Sequence, residues 1–392
     1  MVMWVILVLF AILLGFGFWE FRSHQFHLNQ IPLRIHVNGT RGKSSVTRLI
    51  GAGLRSNGRR VFVKTTGTKA RMISVDGRED PVMRVGRPNI IEQVKVVAEA
   101  ARQNADVFVT ECMGVQPHLQ HLLETQFIRS HIGVITNVRG DHLDNMGPTL
   151  DDVAQSLSNT VPRNGKLFTT EKKHLSIIRR RAEEVGSEVI EVDPANVTDD
   201  DMRGFSYLEH KENVAVALEV LQYVGQDRYE AISAMHSVVP DPGVIRRFEL
   251  EIHGKEIEFV NAFAANDPES FLIIWDMLKV HQEPDKTLIV LVNSRKDRIQ
   301  RAEQLGELIT SHLDANFFVV TGEYTKPLVS RAIACGMPHN KIEDLGGRSI
   351  EAVFNSVVSL SSEKTLVFGI GNMVGFGEKI VEYFREKGRE LG

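Results

Sequence analysis

Eight consecutive residues, Asn38-Gly39-Thr40-Arg41-Gly42-Lys43-Ser44-Ser45, combine two glycines, a lysine and three hydroxyls. They follow an alternating, strand-like run at 33–37 and precede a helix-like run at 43–57. This is the composition of a phosphate-binding loop. A strand, a glycine turn and a helix N-terminus bring backbone N–H groups and the positive end of a helix dipole to one point. Gly39 and Gly42 let the backbone approach phosphates, Lys43 can reach β and γ oxygens, and the Ser44 hydroxyl is placed for Mg2+. A nucleoside triphosphate fits there. The full Gly-x-x-x-x-Gly-Lys-Ser/Thr pattern is not met, because Val37 stands at its first glycine. The plain alternative is a turn and helix cap with an incidental lysine.

Two further stretches offer chemistry beside such a loop. Glu111 closes a short apolar run at 107–110, and a carboxylate at the end of a parallel strand can ligate Mg2+. Residues 137–148, Asn137-Val138-Arg139-Gly140-Asp141-His142-Leu143-Asp144-Asn145-Met146-Gly147-Pro148, gather acids, an imidazole and amides just past the run at 131–136. Strand C-termini are the ligand edge of an open α/β sheet. The polar segment Thr65-Thr66-Gly67-Thr68-Lys69-Ala70-Arg71 falls on that edge too, and its Arg71 can hold a carboxylate or phosphate. Arg295, after a later strand, can meet an anionic substrate; both arginines also read as solvated loop charges. Cys112 with His142 suggests a nucleophile, although a small buried thiol is the better reading. His118 and His121 read as solvated helix histidines, and Gly369-Ile370-Gly371-Asn372-Met373-Val374-Gly375 is no dinucleotide fingerprint, since it closes the last strand rather than a first βαβ unit.

The elements that must position these residues alternate strand and helix along most of the chain, which predicts an α/β protein with mainly parallel sheets. At 392 residues there is room for about two domains. Pro240-Asp241-Pro242-Gly243 interrupts both helix and sheet and marks their boundary. The expected organisation is an anchor helix at 1–21, a polar linker at 22–32, a phosphate-loop domain at 33–239 and a smaller Rossmann-like α/β domain at 240–392. The anchor rests on residues 2–19, which are apolar apart from two glycines and carry no charge. Such a run is near the lower limit for a membrane span. No basic segment precedes it, as a signal peptide requires. Arg22, His24, His27 and Arg34 follow it, so the positive-inside tendency places the rest of the chain in the cytoplasm. A buried core helix is the alternative. The net charge of −4 and the absence of a basic, aromatic-rich stripe argue against nucleic acid as a partner. Cys112 and Cys335 are the only cysteines, too few for a disulfide scaffold.

Three separated stretches resemble the superfamily of Mur ligases and folylpolyglutamate synthases. Gly39 to Ser45 is similar to its Gly-Thr-x-Gly-Lys-Thr/Ser loop. Thr136-Asn137-Val138 with Asp141-His142-Leu143-Asp144 and Gly147 is similar to its Thr-Asn-x-x-x-Asp-His-Leu-Asp-x-x-Gly segment, and Glu111 sits where its metal-binding glutamate would. The resemblance implies a ligase in which Lys43, Glu111 and His142 are catalytic. Gly39, Thr40, Arg41, Gly42, Lys43, Ser44 and Ser45 would bind ATP, and Ser44, Glu111 and His142 would bind Mg2+. It extends to Asn213, similar to an adenine-contacting asparagine, and to Arg247, Asn266 and Asp267, which would sense nucleotide from the second domain. Thr68, Arg71 and Arg295 are the substrate candidates. Many members carry a carbamylated lysine some fifteen residues after the metal histidine; here that neighbourhood is Ser156-Leu157-Ser158.

Within the superfamily the chain most resembles the ATP-ligase subunits of poly-γ-glutamate synthases. The features are the apolar segment before the loop, Thr65-Thr66-Gly67-Thr68 with Ala70-Arg71, the Pro240 to Gly243 boundary and Asn261-Ala262-Phe263-Ala264-Ala265-Asn266-Asp267. That likeness implies glutamate and a γ-linked glutamate chain as substrates, integral-membrane partner subunits, and possible homo-oligomers. The alternatives are a folylpolyglutamate-type ligase, or a membrane-tethered ATPase subunit that drives export and makes no bond.

Overall fold

The computed structural model describes residues 2–391 apart from 68–69, 85, 87, 206, 208, 241–245, 264–270, 273, 276–285 and 297–298. Two compact units emerge: residues 1–205 with 209–241, and residues 206–208 with 242–392. In the first, eight strands run β1 Leu33–Asn38, β2 Val61–Thr65, β3 Arg71–Ile73, β4 Glu79–Pro81, β5 Val107–Glu111, β6 Ile132–Ile135, β7 Lys166–Thr169 and β8 Glu188–Glu191. Their spatial order is β4-β3-β2-β5-β1-β6-β7-β8. Along the order from β2 to β8 every pairing is parallel, and at the other edge β3 runs antiparallel to both β2 and β4. Parallel strands covered on both faces read as unbroken apolar runs. Val107-Phe108-Val109 and Ile132-Gly133-Val134-Ile135 do so and are fully buried.

β1 lies at the centre, between β5 and β6. It therefore delivers the phosphate loop to the middle of the sheet's C-terminal edge. The helix that follows, α2 Lys43–Ser56, covers one face through Val46, Leu49, Ile50 and Leu54. Helix α3 Glu92–Arg102 covers part of the other with Val96, Val97, Ala100 and Ala101.

The N-terminal helix α1 Val2–Asn29 is longer than the expected anchor. Residues 22–29 are helical, so most of the expected linker at 22–32 does not exist as such. Leu28 and Ile31 pack with Phe62, Val97 and Phe108 in the core of this unit. Arg34 donates to the carbonyls of Leu28, Ile31, Ile128 and Arg129 at 2.8–3.1 Å and so caps the end of α1. The polar composition of 22–32 misled because two apolar side chains and one buried arginine suffice to dock the last two turns. His24 and Arg34, read above as charge flanking a span, are buried within the unit. From Val2 to Phe21, by contrast, every described side chain is exposed, and the helix is long and apolar enough to cross a bilayer.

The β3–β4 hairpin occupies part of what reads as a surface excursion at 77–88. Strands of three residues are too short to show alternation. The helix Arg228–His236, started by Asp227 accepting from the backbone of Tyr229 and Glu230, was also unassigned, because its apolar residues form no continuous stripe.

The second unit holds β9 Arg246–Ile252, β10 Lys255–Asn261, β11 Thr287–Ser294, β12 Phe317–Gly322, β13 Ile342–Asp344, β14 Lys364–Gly371 and β15 Arg389–Leu391. Their order is β13-β12-β11-β14-β10-β9-β15, with only β9 antiparallel to its neighbours. β9 and β10 form an antiparallel hairpin. Asp241, Pro242 and Gly243 of the expected boundary lie outside the described residues; positions 271–272 and 274–275 are helical.

A buried charge pair braces the first unit beneath β1. His36, with no exposed surface, places Nδ1 2.8 Å from Glu124 Oε2, and Glu124 also accepts from the Ser130 backbone and hydroxyl. Burial lowers the His36 pKa, but the neighbouring Cys112 and Glu124 outweigh it and raise it to about 9. The unfolded value is about 6.5, so this stabilisation is complete below that pH and is lost as pH rises through about 9. Glu124→Ala should lower the unfolding free energy at pH 6 by about 3–5 kcal/mol. Urea titrations should show a smaller loss at pH 10; equal losses at both pH values would remove the charge pair as the cause.

Candidate active site

β1 ends at Asn38, and the chain turns through Gly39 at φ 134° and Gly42 at φ 80° before entering α2. Both glycines are required twice over. Their φ values favour residues without a Cβ, and their neighbours leave no room for one. A Cβ on Gly39 would stand 2.0 Å from Thr136 Oγ1, and one on Gly42 2.3 Å from Asn213 Oδ1.

The loop is shaped by the segment after β6. Thr136 Oγ1 donates to Arg41 O at 2.5 Å. Asn137 Oδ1 accepts from Thr40 Oγ1 at 2.8 Å and from Arg41 N at 3.1 Å, while its Nδ2 donates to Arg41 O. Thr40 N donates to Asn137 O, and Arg139 N to Thr40 Oγ1. Residues 41–45 remain partly exposed, as a loop that receives a ligand must. Lys43 Nζ donates to Gly39 O at 2.6 Å and Thr40 O at 3.2 Å, which holds its charge over the loop. Asn213, buried in the helix Lys211–Tyr223, is oriented by Glu209, whose Oε1 accepts its Nδ2 at 2.8 Å. The sequence reading left Thr136, Asn137 and Glu209 without a role at the site. The first two stand inside the quoted motif, but nothing local says that they bind the loop backbone.

Glu111, at the end of β5 and 3% exposed, lies against the start of α2. Ser44 Oγ donates to its Oε2 at 2.8 Å, and Thr66 N donates to the same oxygen at 2.6 Å. A hydroxyl and a carboxylate in contact beside a phosphate loop are hard oxygen donors suited to Mg2+, which usually completes its shell with phosphate and water. His142 stands apart from that contact. At φ 50° and 47% side-chain exposure, it places Nε2 3.7 Å from Asp141 Oδ2, and Asp141 pairs with Arg41 at 3.2 Å. Among the described residues no three His, Cys, Asp or Glu side chains converge on one point. Ser156, near the family's lysine position, is a buried hydroxyl accepting from Gln120 Nε2 at 3.0 Å. Gln120 Oε1 accepts in turn from Asn38, the last residue of β1.

The remaining candidates scatter. Arg71 opens β3 and approaches Glu79. Arg247 pairs with Glu258 across the β9–β10 hairpin, its Nε donating at 2.6 Å. Arg295 follows β11. Thr68, Asn266 and Asp267 lie outside the described residues. Cys112 is 3% exposed, as a small buried thiol, and His118 and His121 are exposed on the helix Pro117–Leu122. In the second unit Asn293 Nδ2 donates to Asn372 O at 2.5 Å, so the glycine-rich turn after β14 is tied to the end of β11.

Comparison with known proteins places this geometry. Residues 37–235 match the Mur ligase middle domain, and residues 248–387 match the poly-gamma-glutamate synthase CapB C-terminal domain. The PGA synthase CapB of Bacillus subtilis is 36% identical over 386 residues, covering 98% of both chains. The fold is similar to E. coli FolC in complex with ADP, with a TM-score of 0.68, 15% identity and 93% of each chain covered. It is also similar to MurF from Acinetobacter baumannii, with a TM-score of 0.63, 12% identity, and 94% of this chain and 79% of that one covered. The chain belongs to the CapB family of poly-γ-glutamate synthases, whose nucleotide-binding part is a Mur ligase middle domain.

Proposed function

We propose that this chain is an ATP-dependent, ADP-forming amide ligase that builds poly-γ-glutamate. The observation that carries the reading is the contact of Ser44 with Glu111 beside a braced phosphate loop, in a chain related over nearly its whole length to a poly-γ-glutamate synthase. A carboxylate is a poor electrophile at neutral pH, because its oxygen does not leave. Transfer of the γ-phosphoryl group of ATP to the γ-carboxylate of glutamate releases ADP and gives an acyl phosphate. The amine of another glutamate then attacks the acyl carbon, loses a proton and expels phosphate. The first step calls for alignment and charge neutralisation more than for a covalent enzyme nucleophile.

This chain's residues divide that work. The N–H groups at the α2 end of the loop, Gly42 to Ser44, would hold phosphate oxygens, since those of Thr40 and Arg41 donate to Asn137, and Lys43 neutralises charge on the transferring group. Ser44 and Glu111 would hold Mg2+, with His142 as a further candidate donor; bound there, the ion would supply positive charge beside the phosphates. Thr136 and Asn137 keep the loop in shape, and Asn213 borders the side where Gly42 opens. Arg247, Asn266, Asp267 and Arg295 are the further candidates for nucleotide and substrate contacts.

α1 is assigned as a membrane anchor, with both units in the cytoplasm where ATP is available. Its support is the exposed apolar surface from Val2 to Phe21, followed by the exposed Arg22. Integral-membrane partner subunits, and further copies of this chain, would complete the assembly, since a polyanion does not cross a bilayer unaided.

Three outcomes test this reading. In membranes supplied with ATP, Mg2+ and labelled glutamate, the wild type should release ADP and form γ-linked product, and Lys43→Ala should reduce both on the order of 100-fold or more. ATP consumption without amide product would instead indicate an ATPase subunit. Glu111→Gln should raise the Mg2+ concentration for half-maximal rate by about tenfold, a scale reached even by outer-shell partners. His142→Ala should shift the same titration, and an unchanged curve would leave His142 outside the ion's shell. Removing residues 2–21 should move the protein to the soluble fraction with its melting temperature preserved, whereas removing 2–29 should lower it by deleting the core residue Leu28.

A further inference from the structure

We propose that Arg71 binds the α-carboxylate of the glutamyl residue whose γ-carboxylate is activated, which makes the β2–β3 corner of the first unit the carboxylate-donor subsite. The inference rests on the ligase reading above and names where that substrate is held.

Position comes first. Arg71 pairs in register with Thr65 across β2–β3. The next residue, Thr66, donates its N–H to Glu111 Oε2 at 2.6 Å. Directly paired residues of an antiparallel ladder stand about 5 Å apart. Arg71 therefore begins its long side chain one strand-width from the segment that touches the Ser44–Glu111 contact. Any glutamyl γ-carboxylate brought to that contact carries an α-carboxylate three carbons away.

Charge comes second. Glu79 is shared by two guanidiniums, and they do not share it equally. Arg48, one helical turn after Ser44, takes both oxygens at 2.9 and 2.7 Å with a side chain only 2% exposed. Arg71 is left with a single approach, Nε to Oε1 at 3.6 Å, and that buried Nε has no hydrogen bond among the described residues. One carboxylate thus faces two cations. The Arg71 fork, which suits bidentate binding of a carboxylate, is the unfilled one. On the other face of the sheet Lys64 and Arg84 both engage Glu92, at 2.7 Å and at 2.8 and 3.0 Å. An arginine kept only to neutralise Glu79 would be redundant with Arg48, and a half-exposed ion pair contributes little to stability.

The test uses the full chain in detergent or membranes, saturating ATP, glutamate as amine donor, and N-acetyl γ-diglutamate as carboxylate donor. The blocked amine restricts that compound to one role. Its counterpart has the terminal α-carboxylate converted to carboxamide. The wild type should prefer the carboxylate by at least about tenfold in kcat/KM, the scale of a lost charge-assisted hydrogen bond. Arg71→Gln should abolish that preference while leaving the KM for ATP unchanged. Arg71→Lys, which keeps the charge but not the fork, should retain part of it and decides the matter if the glutamine variant is unstable. Variants that discriminate as strongly as the wild type would overturn the assignment with the ligase reading intact. A wild type that releases no ADP with either compound would overturn both.

Discussion

The phosphate loop holds its shape because side chains from distant strands and helices fill the space beside its two glycines. Thr136 Oγ1 stands where a Gly39 Cβ would be, and Asn213 Oδ1 where a Gly42 Cβ would be. Thr136 and Asn137 then hydrogen-bond the backbone of Thr40 and Arg41 on both sides. The N–H groups of Thr40 and Arg41 and the carbonyl of Arg41 are thereby satisfied by neighbours rather than within the loop. Ordering the loop in advance lowers the entropy lost when a ligand binds.

Beneath the loop lies a layer of buried polar side chains. Asn38 donates to Gln120 and Thr160, Gln120 reaches Ser156, and His36 pairs with Glu124. Buried polar groups are tolerated when they satisfy one another, and such networks favour one arrangement over others. The strand that carries the loop is thereby tied to the helices on its flank. The same principle operates at the chain's start, where Arg34 gathers four carbonyls from α1 and the segment at 128–129. The exposed apolar part of α1 and the first unit are consequently joined by a packed helix end rather than a flexible tether.

Much of the fold was legible because its signals are local. Buried parallel strands read as apolar runs, the glycine turn marks the loop, and Pro240 marks a boundary. The shortfalls have physical causes as well. β3 and β4 are too short for periodicity, and the helix Arg228–His236 shows no continuous apolar stripe. The end of α1 looked like a linker because its burial depends on Leu28 and Ile31 meeting Phe62 and Phe108, residues far along the chain.

The division at the site follows the same line. Sequence by itself singled out the candidate residues: Lys43 and Ser44 after a glycine turn, Glu111 at a strand end, and the Asn137 to Pro148 segment at another. Those are properties of residue type and spacing. Only the tertiary structure decided that Ser44 and Glu111 touch, that His142 lies beside Asp141, and that Asn137 hydrogen-bonds the loop. It also showed that Arg48 takes both oxygens of Glu79, which Arg71 approaches only at 3.6 Å. Each of these depends on distance between residues remote in the chain, and a hydrogen bond or ion pair is decided within a few tenths of an ångström that no local pattern encodes.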